Sequence, residues 1–175
     1  MSDVPSPLAP AAVALFLRAT INTLTAEVDA LTPAALAWHP APGEWCVNEV
    51  LGHLIETERR GFAGRIRIIL AGQEPQLERW DQNAVSAARR DCQRDARALV
   101  GELATMRHDS ARLVERLSAA DLVRGGHHPM VGYLRVGDLL NEWIHHDRNH
   151  VRQILANVQA YVWPHMGNAQ KFSAA

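Results

Sequence analysis

The chain has 175 residues, 47% of them apolar, which suits one globular domain burying roughly 70% of its unfolded surface without a disulfide or metal to keep it folded. Eighteen basic against nineteen acidic side chains leave a formal charge of -1, which excludes the basic footprint that a nucleic-acid backbone requires. Cys46 and Cys92 lack paired spacing, "MSDVPSPLAPAA" lacks a signal pattern, and no later apolar run approaches the ~20 residues of a bilayer span; the expectation is a cytoplasmic protein with free thiols, no bridge, and no membrane or nucleic-acid partner.

Four long segments carry helical periodicity, with no strand-like alternation and no internal repeat. The first helix is predicted over about residues 10–31, with Val13, Phe16, Leu17, Ile21 and Leu24 at helical spacing. "TPAALAWHPAPGEW" then forms a link, where Thr32 can cap a short turn and Pro40, Pro42 and Gly43 forbid a long helix. A second helix spans about 47–71 and ends where Gly72 can take a left-handed cap. Beyond the polar "GQEPQLERWDQNA", a third helix is predicted over about 84–117, with Gly101 as its candidate break. "SAADLVRGGHHPMVGYLR" connects it to a fourth helix over about 136–160, and Pro164 stops any continuation. Four such helices make an all-α four-helix bundle, one domain over residues 1–175.

The chemistry concentrates in "HHDRNH", residues 145–150. A step of 100° per residue from Leu139 gathers Trp143, His146, His150 and Ile154 within roughly 80°, one inward stripe. His145 falls on the solvated side with Arg148, Asn149 and Arg152. His146 and His150 are an i, i+4 pair about 5 to 6 Å apart at Cβ, so their rings can reach one ion, although hydrogen-bonded core histidines satisfy the same spacing. In "VNEVLGHLIETE", Val47, Val50, Leu51 and Leu54 mark the buried arc, and His53 sits at its edge with Thr57 one turn on. An edge histidine can meet a pair from a neighbouring helix, but periodicity alone does not bring it there.

Other polar residues divide between chemistry and packing. Glu58 lies near the middle of the second helix's apolar arc, where a carboxylate either has a raised pKa or pairs with an arginine, such as one on the third helix; the pair is the favoured reading. Asp147 poses the same choice, and both are expected to support a site rather than react. Trp38, Trp45 and Trp143 are expected in the core, His39, His127 and His128 on surface links, and His108 and His165 follow no pattern. Cys46 precedes His53 by two turns, about 10 Å, too far to share an ion with it, and is expected to be a small apolar filler.

"PGEWCVNEVLGHLIETE" followed downstream by "HPMVGYLRVGDLLNEWIHHDRNHVRQI" resembles the DinB/YfiT-like superfamily of four-helix-bundle metalloproteins, with their W-(S/T)-x-x-E-x-x-x-H and H-D-x-x-H-x-x-Q-(I/L) motifs. The resemblance implies three metal ligands, His53, His146 and His150, with open positions for water or substrate, and Gln153 and Ile154 match the second motif's tail. Cys46 and Arg135 stand where the family has a Ser or Thr N-cap; Glu49 and Asp138 keep half of each capping box, at a cost of about 0.5 to 2 kcal/mol per lost cap.

Three imidazoles suit a divalent transition metal, Zn or Ni first and then Fe or Mn, and three protein ligands with an open position are the catalytic arrangement. The superfamily includes transferases and isomerases that use low-molecular-weight thiols, together with metal-dependent hydrolases. The implied function is a metal-dependent S-transferase or hydrolase acting on a small molecule, with a low-molecular-weight thiol as a cosubstrate; the alternative is a non-catalytic metal- or ligand-binding stress-response module. A homodimer is expected, and metal should leave as pH falls below the ordinary histidine range, about 6.5.

Overall fold

The computed structural model describes residues 5–173; residues 1–4 and 174–175, the ends of the expected domain, lie outside the described residues. Helix α1 (Pro10–Ala30) buries Val13, Ala14, Leu17, Thr20, Leu24 and Val28, one helical stripe laid against the third and fourth long helices of the bundle. Phe16, expected on that stripe, is exposed. Contrary to expectation, α1 is long and apolar enough by composition to cross a membrane, with a mean hydropathy of 1.2, but its buried stripe is part of the bundle core. The link holds one short helix, α2 (Pro33–Leu36), capped by Thr32 Oγ1 accepting from the Ala35 amide at 3.3 Å.

The second long helix is a rod in three parts: α3 (Val47–Glu56), a π-helical turn over Thr57–Phe62, and α4 (Ala63–Ala71). Its outer bounds are those the periodicity predicts; the π turn is not. The wide turn drives the Arg59 carbonyl to 2.1 Å from where a Cβ on residue 64 would stand, a position open only to Gly64. Its inward residues, Thr57, Glu58, Gly61 and Phe62, are buried.

The expected third helix is two. Helix α5 (Gln82–Arg89) ends at Arg90, whose φ of 54° is left-handed, and a 3-10 turn over Asp91–Gln93 leads to α6 (Ala96–Glu115). Asp95 caps α6 by accepting from the Arg97 amide at 2.9 Å, so the break falls at residues 90–95 and Gly101 lies within an unbroken helix. After α7 (Ala119–Leu122), the connection expected to lack strands forms a hairpin, β1 (Gly125–His128) paired antiparallel with β2 (Gly132–Arg135). Gly132 at φ 75° makes the reversal, and Gly126 admits the Pro75 carbonyl to 2.7 Å from its missing Cβ, closing the hairpin onto the segment before α5. Helix α8 (Val136–Val162) is the fourth long helix, followed by a short α9 (Gln170–Ser173).

Neither Cys46 nor Arg135 caps through its side chain, but Glu49 Oε2 accepts from the Cys46 amide at 2.9 Å and Asp138 Oδ2 from the Arg135 amide at 3.0 Å, the two expected half-boxes. The core has two parts, one around Leu17, Phe62, Ile66 and Trp143, the other around Leu24, Leu51, Leu99 and Ile154. Along α8, His146 and His150 fall between Trp143 of the first part and Val151 and Ile154 of the second.

Candidate metal centre

His53 of α3 and His146 and His150 of α8 come together inside the bundle. The Nε2 atoms of His53 and His146 face one another at 3.1 Å, and one ligand nitrogen from each of the three rings lies within 4.8 Å of the others. The ring centroids of His150 stand 4.6 Å from those of His53 and 4.4 Å from those of His146. His145 points outward with Asn149 and Arg152, as the wheel requires, whereas Arg148 turns back and donates to Thr20 Oγ1 of α1. The aliphatic length of Arg148 lets its head reach a neighbouring helix from a position that the wheel places in solvent.

These residues fit a divalent ion. Two nitrogens each about 2.0–2.1 Å from one ion at the tetrahedral angle stand about 3.3 Å apart, close to the 3.1 Å seen here. Burial, followed by the neighbouring imidazoles, pushes His53 down to about 3; burial pushes His146 down to about 4 and lowers His150. All three therefore present neutral imidazoles with lone pairs, the form a metal binds. Gln153 Oε1 accepts from His150 Nδ1 at 2.8 Å, which places that ring's proton on Nδ1 and leaves Nε2 for the ion. The Nδ1 atoms of His53 and His146 have no hydrogen-bond partner among the described residues, so packing orients these rings: Trp45 stands 4.9 Å from His53 and Phe62 5.2 Å from His146.

Behind the histidines lies a buried charge cluster. Arg107 of α6 reaches Asp147 Oδ2 through Nη1 and stands over the Trp143 ring, 5.3 Å from its centroid. Its Nε is 3.0 Å from Glu58 Oε2 but not aligned for a hydrogen bond, so Glu58 is near a countercharge without being well bonded to it. Burial raises the Glu58 carboxyl to about 6, against the lowering effect of Arg107. The favoured sequence reading, an ion pair with an arginine of the third helix, thus holds for both acids. Neither carboxylate approaches the three rings by a hydrogen bond.

A cavity of about 790 Å³ opens onto His53 and His146. Its wall includes Trp80, whose ring lies 6.0 Å from His53, and Arg65, whose Nη2 donates to His128 Nε2 at 3.1 Å. Trp80 and Arg65 were not singled out by the sequence, and His128 was expected on the surface; the hairpin carries it onto the cavity instead. Trp143 is fully buried as expected, while Trp38 and Trp45 are half-buried and Trp45 borders the site rather than only filling space. His127, His108 and His165 are exposed. Cys46 is fully buried, in keeping with a small filler, and its sulfur lies 2.9 Å from that of Cys92, both as free thiols.

Among solved structures the chain is similar to YfiT from Bacillus subtilis, described as a probable metal-dependent hydrolase with an unusual four-helix bundle topology. The TM-score is 0.82 at 18% identity, over 92% of this chain and 94% of that one, which establishes the shared fold. No curated protein matches. A family model of the DinB superfamily matches residues 17–154, from α1 through both histidine motifs, and the chain belongs to that superfamily.

Proposed function

We propose that the protein is a metal-dependent enzyme acting on a small molecule by thiol-dependent S-transfer or hydrolysis, with His53, His146 and His150 holding a divalent transition metal. The observation that carries the reading is the pair of Nε2 atoms 3.1 Å apart beside a 790 Å³ cavity, because an ion there meets three imidazoles from inside the bundle and a substrate from the cavity side. A divalent ion acidifies a water or thiol that it binds, which supplies a nucleophile at neutral pH. The description of YfiT as a probable metal-dependent hydrolase supports the same chemistry.

The chain's own residues prepare that position. Dry surroundings keep His53 and His146 unprotonated, Gln153 fixes the proton of His150, and Trp45, Trp80 and Phe62 exclude water around the rings. Arg107 clamps the π turn to α8 through Glu58 and Asp147, holding the helix that bears His53 against the one that bears His146 and His150. Turnover tests the proposal: metal-loaded protein is assayed with low-molecular-weight thiols and electrophilic acceptors, and separately with ester and amide panels. Activity that disappears in His53→Ala supports it; silence across every panel favours a non-catalytic binding module. We propose further that two chains associate, with exposed Leu15 and Phe16 of α1 as apolar surface for the contact; a sedimentation mass near the 19.4 kDa of one chain at micromolar concentration counts against it.

A further inference from the structure

A second group of metal-binding side chains lies on the other side of α3's first turn. His39 comes from the link after α2, Cys46 and Glu49 from the start of α3, and Cys92 from the 3-10 turn between α5 and α6. One ligand atom from each lies within 4.8 Å of the others: the two sulfurs are 2.9 Å apart, His39 Nε2 is 3.9 Å from Cys92 Sγ, and His39 Nε2 is 2.9 Å from Glu49 Oε2. Donors on one tetrahedral zinc stand about 3.3 to 3.8 Å apart, so an ion would part the sulfurs by less than about 1 Å and leave the other two pairs near their present spacing. Two thiols alone would suit only a disulfide. An imidazole and a carboxylate on the same centre complete a donor set for a cation.

We propose that His39, Cys46, Glu49 and Cys92 form a structural zinc site, separate from the three-histidine centre. Four protein donors close the coordination sphere, which leaves no position for substrate and distinguishes this site from the open one. Both thiols release their protons on binding, and the soft sulfurs select zinc over the harder divalent cations. The site fastens three segments of the chain: the link after α2, the start of α3 and the 3-10 turn after α5. Asn83 of α5 borders both this region and the main cavity, so zinc here steadies the α5 side of the cavity wall.

The test uses the full chain purified without chelator. His146→Ala disables the three-histidine centre, and its zinc content then reports the second site; the expected value is about one zinc per chain. In that background, Cys92→Ser and, separately, the exposed-residue change His39→Ala should each weaken zinc affinity at least tenfold in competition with a chromophoric chelator, with circular dichroism showing a folded chain. Cobalt substituted into His146→Ala should give a thiolate-to-cobalt charge-transfer band that Cys92→Ser abolishes, a signature that three imidazoles cannot produce. Zinc affinity unchanged by both variants, a cobalt complex without the band, or a zinc-free protein lighter by the two hydrogens of a Cys46–Cys92 disulfide would each overturn the proposal.

Discussion

Arg107 and Asp147 form a buried, two-pronged ion pair, with Nη1 to Oδ2 at 2.5 Å and Nη2 to Oδ1 at 3.3 Å, immediately after His146 in the chain. The pair joins α6 to the helix that carries two of the three site histidines. Replacing Arg107 with Met leaves two buried carboxylates, Glu58 and Asp147, facing each other without a countercharge. Urea unfolding of Arg107→Met should show a loss of about 3 to 5 kcal/mol, and a loss within about 0.5 kcal/mol would contradict the role given to the pair.

Gly52 precedes His53 and has no room for a side chain. An added Cβ would stand 1.8 Å from Asp91 Oδ2, whose carboxylate is already held by Arg89 at 2.5 Å and Arg94 at 2.9 Å. Gly52→Ala must displace that network, and a destabilisation of about 1 to 3 kcal/mol by urea or thermal unfolding is expected. Unchanged or raised stability would mean that Asp91 gives way freely.

Gln153 Oε1 accepts from His150 Nδ1 and so fixes the proton of that ring. Gln153→Leu keeps the side chain's bulk and removes the acceptor, so metal affinity should fall 10- to 100-fold while the fold survives. Competition with a chelator measures it, and equal affinity in both proteins would remove Gln153 from the account.

The pH dependence follows from depressed histidines. The folded-state values of His53 and His146 lie below the unfolded value of about 6.5, so the unfolded chain takes up protons first and metal-free stability is lost as pH falls below 6.5, continuing to about 4 for His146 and about 3 for His53. Glu58, raised to about 6, acts oppositely, stabilising the fold as pH falls from 6 toward 4.5. The stability of metal-free Glu58→Gln should therefore fall between pH 6 and 5, with a slope approaching two protons per chain from His53 and His146. The same values alter the expectation from ordinary histidines: metal should remain bound at pH 5.5. Release tracking a pKa of 6.5 would contradict the burial argument.

The bundle and the pairing of His146 with His150 were legible because each depends on local spacing: the stripes of α1 and α8, and the i, i+4 placement of the two histidines. The motif resemblance supplied His53, which periodicity left only at an edge. The π turn was hidden because one extra residue in a helix disturbs hydrophobic spacing too little to read, and the break at Arg90 because a left-handed arginine has no signature comparable to glycine. Trp80, Arg65 and His128 reach the cavity through the docking of a hairpin and a loop, and Cys46 meets Cys92 across 46 residues of chain. Those encounters are set by tertiary packing, which no local pattern records.

If three particular nitrogens hold one ion, His145 and His146, neighbours about 100° apart on one helix, must differ in what they do to it. His146→Ala removes an Nε2 that stands 3.1 Å from that of His53, whereas His145→Ala changes an exposed side chain and should cost within about 0.5 kcal/mol of stability. The measurement is metal bound at the three-histidine centre after gel filtration, by elemental mass spectrometry in a Cys92→Ser background, with circular dichroism on each variant. His145→Ala should keep its full metal and His146→Ala should be strongly depleted; equal metal in the two folded variants would mean that His146 does not hold the ion.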